Sequence, residues 1–524
     1  MNSYRYNMQK KRRRINYLYS CIVLVALIGT GFYVYSKLTS EQQKSQSDTI
    51  TFDSTVSKTE KQIVLDTIDK SEKSPNSPLK VSVDTVFEAA DMAKVISAYV
   101  PVMNFYAVRQ KISKEEIKTF EIVVPIDTED EVREGLAKLI GVSSSNISSL
   151  SGNIEDITDA QIALVPSTML TSNVTLLRLD DNYYLDDFSK GALFRQVVLE
   201  GKSKDLSFNT LATKDSLLKV NMTGVTALTR GMQTKLASVN DPLYFSKFIG
   251  DYLADADITH VSNEVSFRPG CQFSSTSFCS PPEFIETLKS SGVDVVELTG
   301  NHNNDNGSSY NQESISLYRS LGMGTFGGGL NSAEASKPFV TSKKNTNIAF
   351  FGYNKADGLG SGAIADESSA GANYYTDDKA KKDIETAKTN QSFVIVDIQF
   401  LECYAYPDSY VEFPQCDGTI AGQQETFRKM IDFGADMVIG SSAHQPQTYE
   451  LYNGKPIYYG LGNLYFDQTQ QPGTERGIIL THYFLGSRLL QTKLSPTVYN
   501  KDLQTRLMTN DESLYLLERL RAAR

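Results

Sequence analysis

The sequence predicts an α/β protein, a layered α/β domain preceded by a smaller α/β domain and an N-terminal transmembrane helix. Three observations lead there. From about residue 81 to 470, short segments rich in Val and Ile alternate with amphipathic ones, the signature of layered strands and helices. Tyr17 to Tyr35 is a run of 19 mostly apolar residues, near the ~20 that a helix needs to cross a bilayer. The chain, at 524 residues, is long enough for two or three domains.

Taken in order, residues 1–16 are a basic cytoplasmic tail. Arg5, Lys10, Lys11, Arg12, Arg13 and Arg14 stand there with no acidic residue before position 37. Positive charge on that side of the apolar run sets the N-terminus inside and the bulk of the chain outside. No small-x-small cleavage pattern follows the run, so residues 17–36 read as an uncleaved anchor instead of a signal peptide. Residues 37–80 are rich in Ser, Thr, Lys, Gln and Asp and read as a disordered stalk, too polar to offset chain entropy.

Residues 81–219 form the smaller α/β domain. Tyr99–Val102, Glu121–Pro125, Ile162–Pro166 and Thr175–Leu179 are strand segments, and Thr128 with Glu131 opens a helix through Ile140. This order is similar to half of a periplasmic solute-binding protein; a spacer that packs on its neighbour is the alternative. Residues 220–470 form the layered domain. Its strands are expected at Leu218–Leu228, Ile258–Val261, Val293–Leu298, Asn347–Gly352, Phe393–Gln399, Met437–Gly440 and, last, Pro456–Gly460. Its helices are expected at Tyr244–Leu253, Pro282–Ser291, Asn311–Leu321 and Thr419–Phe433. Residues 471–524 are a C-terminal extension packed on that domain, ending in a helix from Glu512. Gly322 to Gly327 spells GxGxxG, but it follows a helix, so it reads as a helix stop and turn and not as a dinucleotide site.

Composition excludes some classes. The net charge of −10 speaks against a nucleic-acid partner, and no nucleophile elbow or phosphate-binding P-loop is present. Cys271 and Cys279 are close in sequence, as are Cys403 and Cys416, and neither pair has the CxxC spacing of a metal site. Outside the cytoplasm four thiols mean two disulfides. Three connectivities are open, and local pairing is preferred.

Four segments end strands with polar side chains: Ser262-Asn263-Glu264, Thr299 to Asp305, Asp397 to Glu402, and Gly440 to Gln447. Strand carboxyl ends are where α/β sites sit. Two of the four histidines, His302 and His444, fall in these loops; His260 and His482 lie in apolar surroundings and read as core or surface residues.

These segments resemble the poly-γ-glutamate capsule biosynthesis (CapA-type) family, whose fold is similar to the calcineurin-like metallophosphoesterases. The resemblance is carried by TGVTALTRG (Thr223 to Gly231), SNE, TGNHNNDNG (Thr299 to Gly307) and the long block from Phe433 to Asp467. It implies a part in making, exporting or retaining an anionic capsular polymer. Three positions depart from the family pattern. Val225 stands for an Asp, Gln399-Phe400-Leu401 for His-Trp-Gly, and Ser442 for the first His of Gly-x-His-x-His, while Glu402 keeps an acidic partner. A two-metal clamp needs a bridging carboxylate and several further ligands. The residues left suit one divalent ion (Mn, Zn or Mg) or none.

The resemblance then assigns metal ligation to Glu264, Asn301 and His444. His302 becomes the catalytic acid, oriented by Asp305. Asn263, Gln399, Glu402, Ser442 and Gln445 line the substrate or support the ligands. Each has a structural alternative: His302 and Asp305 as loop braces, His444 paired with Glu402, Asn301 and Asn463 as loop residues. The expected function is that of a membrane-anchored extracytoplasmic CapA-like protein, with an anionic envelope polymer or its synthesis machinery as partner. The rival is a metal-dependent hydrolase of a phosphate ester or envelope polymer. A third expectation makes residues 81–219 a small-solute module scaffolded by the rest.

Overall fold

The structure is a computed structural model describing residues 50–71, 78–200, 206–208, 211–272, 274, 277–401, 418–469 and 473–524. The basic tail, the apolar run at 17–36, Glu402, Cys403 and Cys416 lie outside the described residues. Among the described residues no helix is long and apolar enough to cross a membrane. The chain divides into two compact units. One takes the described residues of 1–98, 128–139 and 193–210; the other takes those of 99–127, 140–192 and 211–524. The expected smaller domain at 81–219 is thus shared between them.

In the first unit, strand Leu79–Val86 pairs in parallel with Ile50–Phe52 and antiparallel with Leu193–Glu200. Helix Lys58–Lys70 turns Val64 and Ile68 inward onto Val81, Val83 and Val197. The expected stalk over 37–80 is therefore corrected in its described part. Ser57 and Glu60 form a capping box that starts this helix, and its apolar residues at i and i+4 supply the buried face that the surrounding polar composition hides. Glu60 also holds Arg195 through two hydrogen bonds, 2.8 and 2.7 Å, with both side chains buried.

The second unit contains a sandwich whose elements are labelled here. Strand β1 (Leu217–Thr226) buries Leu218, Val220 and Met222 on one face, a period of two. Helix α1 (Arg230–Val239) follows, then β2 (Ile258–Asn263), α2 (Ile285–Ser290), β3 (Val295–Glu297), α3 (Ser308–Ser320) and β4 (Gly324–Phe326). Strands β1 to β4 pair in parallel in chain order. Gly322, at φ +80°, makes the turn between α3 and β4, as expected of the GxGxxG stretch.

The second sheet holds β5 (Phe339–Lys343), β6 (Thr346–Asn354), β7 (Phe393–Gln399), β8 (Met437–Ser441), β9 (Tyr449–Tyr452) and β10 (Lys455–Tyr458), in the order β5-β6-β7-β8-β10-β9. Helices α4 (Asp377–Thr389) and α5 (Gln423–Asp432) cover its outer face with Ile384, Phe427 and Met430. The inner faces of the two sheets share one core, in which Val220, Ile258 and Val295 meet Phe350, Ile395 and Ile439. The layers are helix, sheet, sheet, helix.

The expectation that Pro456–Gly460 closes the strand order is overturned. Strand β11 (Asn463–Tyr465) follows and pairs with β1. Beyond it β12 (Arg476–Leu485) and β13 (Arg488–Tyr499) form a long hairpin, with β14 (Thr505–Leu507) beside β13. Strand β12 pairs antiparallel with β1, so the extension completes the first sheet. Helix α6 (Asn510–Ala522) ends the chain on a Thr509/Glu512 capping box.

Removing one partner of a buried ion pair leaves an uncompensated charge, at a cost of about 3–5 kcal/mol, whereas replacing both by apolar residues is far milder. Glu60→Ala should therefore lower the unfolding free energy of the first unit by that order. The double substitution Glu60→Leu with Arg195→Met should recover most of it, as read by urea titration.

Candidate functional site

The ends of the two sheets meet at their strand carboxyl termini. Gln399, closing β7, donates from Nε2 to Asn301 Oδ1 beyond β3 at 3.3 Å, and Ser441, closing β8, donates to Gln399 Oε1 at 3.2 Å. Asn303 Nδ2 ties the β3 loop to the carbonyl of Asn263 at 3.1 Å. Gly300 lies directly on Glu264, where a Cβ would come within 2.7 Å of its Cα. A side chain at 300 would push the two loops apart. Gly224 plays the same part across the sheet, for its Cβ would meet the carbonyl oxygen of Gly462 at 1.9 Å.

At the centre stands Glu264. It is fully buried, and among the described residues neither carboxylate oxygen has a hydrogen bond. His444 Nε2 lies 3.7 Å from Glu264 Oε2, with both side chains shielded from solvent. The tautomer of His444 follows from its other neighbour. Asn463 donates its amide hydrogens to Gln468 Oε1 and the Thr474 carbonyl, so its Oδ1 must accept from His444 Nδ1 at 3.0 Å. The ring proton is thereby on Nδ1, and Nε2 faces the carboxylate. A bare lone pair there would repel an ionised carboxylate, a repulsion that a shared proton or an intervening cation would remove. Ser442 and His444 both hold left-handed backbone, φ 75° and 54°, a cost of order 1–3 kcal/mol each for non-glycine residues, of the kind that gathers at functional sites.

His302 and Asp305 form a second pair, Nδ1 to Oδ2 at 2.9 Å. The same Asp305 oxygen accepts the backbone N–H of Phe278 at 2.8 Å. Cys271 and Cys279 are disulfide-bonded, as local pairing predicts, which staples the loop carrying Phe278 beside His302. The Phe278 ring contacts His302 edge-on at 4.6 Å, and the Phe466 ring contacts His444 at 5.2 Å. The guanidinium of Arg230 lies over both phenylalanine rings, 4.2 Å from the Phe278 centroid and 5.3 Å from that of Phe466.

The remaining expected residues divide. Asn263 spends its side chain on its surroundings, accepting from Thr226 Oγ1 and donating to the Val265 carbonyl. Ser442 Oγ is buried without a hydrogen bond among the described residues, and Gln445, three residues on, is buried as well. The expected pairing of His444 with Glu402 falls on a residue outside the described ones; the described acidic neighbour of His444 is Glu264.

A cation can be tested against this donor set. Where the family pattern carries a carboxylate, Val225 packs into an apolar cluster with Ala227, Val265, Phe278 and Phe466. Among the described residues no three His, Cys, Asp or Glu side chains gather as a metal group. A two-metal clamp does not fit. One ion fits better: 3.7 Å between Glu264 and His444 exceeds a hydrogen bond and is close to the ~3.4 Å separating two ligands about 2.1 Å from a tetrahedral ion. Asn301 Oδ1 would complete three donors, sharing its oxygen with Gln399.

Beneath the site runs a buried polar column that sequence reading missed. His260 Nε2 lies 3.0 Å from Asp397 Oδ2, both inside the sandwich. Glu297 is fully buried and accepts the Thr299 backbone N–H at 2.6 Å. Burial, with the Asp397 charge next, pushes the Glu297 carboxyl up to about 7, and burial raises Asp397 as well. His482, read as a core or surface residue, is in the core and pushed down to about 3 by burial. The signal for this column was an alternation of Val or Ile with His, Glu or Asp in strands otherwise apolar.

Residues 219–468 match the family described as bacterial capsule synthesis protein PGA_cap. The likeness to the CapA-type family holds for this region. The capsule biosynthesis protein CapA of Bacillus anthracis is 27% identical over 191 residues, which are 36% of this chain and 43% of that protein. The PGA biosynthesis protein CapA of Bacillus subtilis is 27% identical over 187 residues, 36% of this chain and 46% of that one. The match thus spans less than half the length of these relatives. Among solved structures, NAD nucleotidase of Haemophilus influenzae shares 10% identity over 58% of this chain and 56% of its own, with a TM-score of 0.29. The CapA-like region carries every described residue of the site, including Arg230, Phe278 and Phe466.

Because the folded Glu297 pKa of about 7 lies above its ordinary 4.5, the stability linked to it is full below pH ~4.5. It is lost as pH rises through ~7, by up to about 3 kcal/mol. Glu297→Gln should flatten the fall in denaturant midpoint across that window, measured at several pH values; an unchanged slope would show Glu297 ionising as it does in the unfolded chain.

Proposed function

We propose that this chain is a membrane-anchored, outward-facing CapA-like protein that takes part in making, exporting or retaining an anionic capsular polymer of the poly-γ-glutamate type. The strand-end pocket binds polymer or its terminus. The PGA_cap match over 219–468 supports the role in capsule synthesis. The observation that favours binding over two-metal catalysis is the packing of Val225 into an apolar cluster with Phe278 and Phe466. The basic tail and the apolar run after it support the anchor and the orientation. Partners by this reading are the polymer, its synthesis machinery and the membrane.

A second reading, a metal-dependent hydrolase of a phosphate ester or envelope polymer, is favoured by the Glu264–His444 contact. Glu264, Asn301 and His444 would hold one divalent ion (Mn, Zn or Mg), which when bound supplies a Lewis acid. His302, its Nδ1 proton fixed by Asp305, would hold the proton given to a leaving group.

Calorimetric titration of the full chain in detergent with γ-linked glutamate oligomers separates the readings. Binding by the wild type that drops at least about tenfold in His444→Ala is expected, as loss of a buried polar anchor implies. No binding by the wild type sinks the polymer reading. Stoichiometric Mn²⁺ or Zn²⁺ in the wild type, absent from Glu264→Gln, together with phosphoester hydrolysis, would establish the hydrolase instead.

A further inference from the structure

We propose that Arg230 is the anion anchor of this pocket and that it takes a carboxylate of the bound polymer. The assignment rests on the polymer-binding reading above and names the group that recognises charge.

The guanidinium of Arg230 lies over two rings, Phe278 at 4.2 Å and Phe466 at 5.3 Å. Those rings in turn contact His302 and His444. Arg230 is thus the middle member of a wall whose two ends are the site histidines. Such contacts orient the cation but do not fill its five N–H donors. Among the described residues the guanidinium makes no hydrogen bond and no ion pair, whereas Arg195, Arg428 and Arg506 each grip a carboxylate. The nearest acid, Asp467, feels the Arg230 charge without pairing with it: its Oδ2 accepts the Gly231 backbone N–H at 2.8 Å, and its Oδ1 is buried without a hydrogen bond among the described residues. Arg230 is half-buried, so an incoming group can reach it.

Its backbone supports the same conclusion. Arg230 opens α1 in left-handed conformation, φ 51°, a cost that a long, charged side chain does not relieve. Gly231 would suit that angle better, yet it follows instead, and its own Cβ would meet Asp467 Oδ2 at 2.3 Å. The chain therefore holds Arg230 at a strained position with its planar fork stacked and unfilled. A fork of that kind matches a carboxylate in two parallel hydrogen bonds, which a lysine ammonium cannot do.

The test uses the full chain and three probes: a γ-linked glutamate oligomer, the same oligomer with its side carboxylates amidated, and inorganic phosphate. Arg230→Gln should weaken the acidic oligomer by about tenfold or more and leave the amidated one unchanged. Arg230→Lys should restore only part of the loss, with thermal melting of both variants as the check on folding. Wild-type affinity in Arg230→Gln, beside lost binding in His444→Ala, overturns the anchor and leaves the pocket standing. Equal weakening of both oligomers overturns it too, because the residue would then shape the pocket without reading charge. Competition by phosphate as strong as by the acidic oligomer reassigns the anchor to phosphate. A wild type that binds neither oligomer overturns the polymer reading itself and Arg230 with it.

Discussion

A carboxylate buried without hydrogen bonds needs a proton or a positive partner, and among the described residues Glu264 has His444 Nε2 at 3.7 Å. Much of the surrounding architecture holds that contact in place. The amide of Asn463, locked by Gln468 and Thr474, puts the other ring proton on Nδ1. Left-handed backbone at Ser442 and His444 bends the β8 loop to deliver the ring. Gly224 and Gly300 let the neighbouring loops close on both sides. Desolvation of an ion costs several kcal/mol even after relaxation, so a fold that keeps Glu264 there must compensate its charge with a proton or a cation.

The ligand set separates this site from a two-metal centre. Val225 carries no ligand atom and buries itself against Phe278 and Phe466. The same two rings carry the Arg230 guanidinium. In the row of His302, Phe278, Arg230, Phe466 and His444 the two rings and His444 are buried, which leaves Arg230 and His302 as its half-buried members. The disulfide between Cys271 and Cys279 holds one of those rings where the β3 loop needs it.

Much of this was legible in the residues. Strand Phe393–Gln399 falls where its apolar run stands, and the loops ending in Glu264, Asn301 and His444 do converge around Gln399 and Ser441. Where reading failed, the missing information was of two kinds. Local signals were present but outweighed: Ser57 and Glu60 cap a helix within a polar stretch, and Gly486-Ser487 turns a hairpin in what read as a tail. The rest was tertiary. Arg230 belongs to the site because Phe278 and Phe466 arrive from distant segments, and Glu297 titrates high because the sandwich buries it, with the Asp397 charge from the other sheet adding to the effect. The Arg230 contacts have no trace in the local sequence, and for Glu297 the only trace is an acid inside an otherwise apolar strand.

The most direct test is nitrogen-15 NMR of the His444 ring, assigned by comparison with His444→Ala, in the wild type and in Glu264→Gln. Protonated Nδ1 in both proteins, with an Nε2 resonance that shifts from a protonated or cation-bound value toward a bare one when the Glu264 charge is removed, is the predicted result. An Nε2 resonance unmoved by Glu264→Gln, or a ring carrying its only proton on Nε2, would contradict the account.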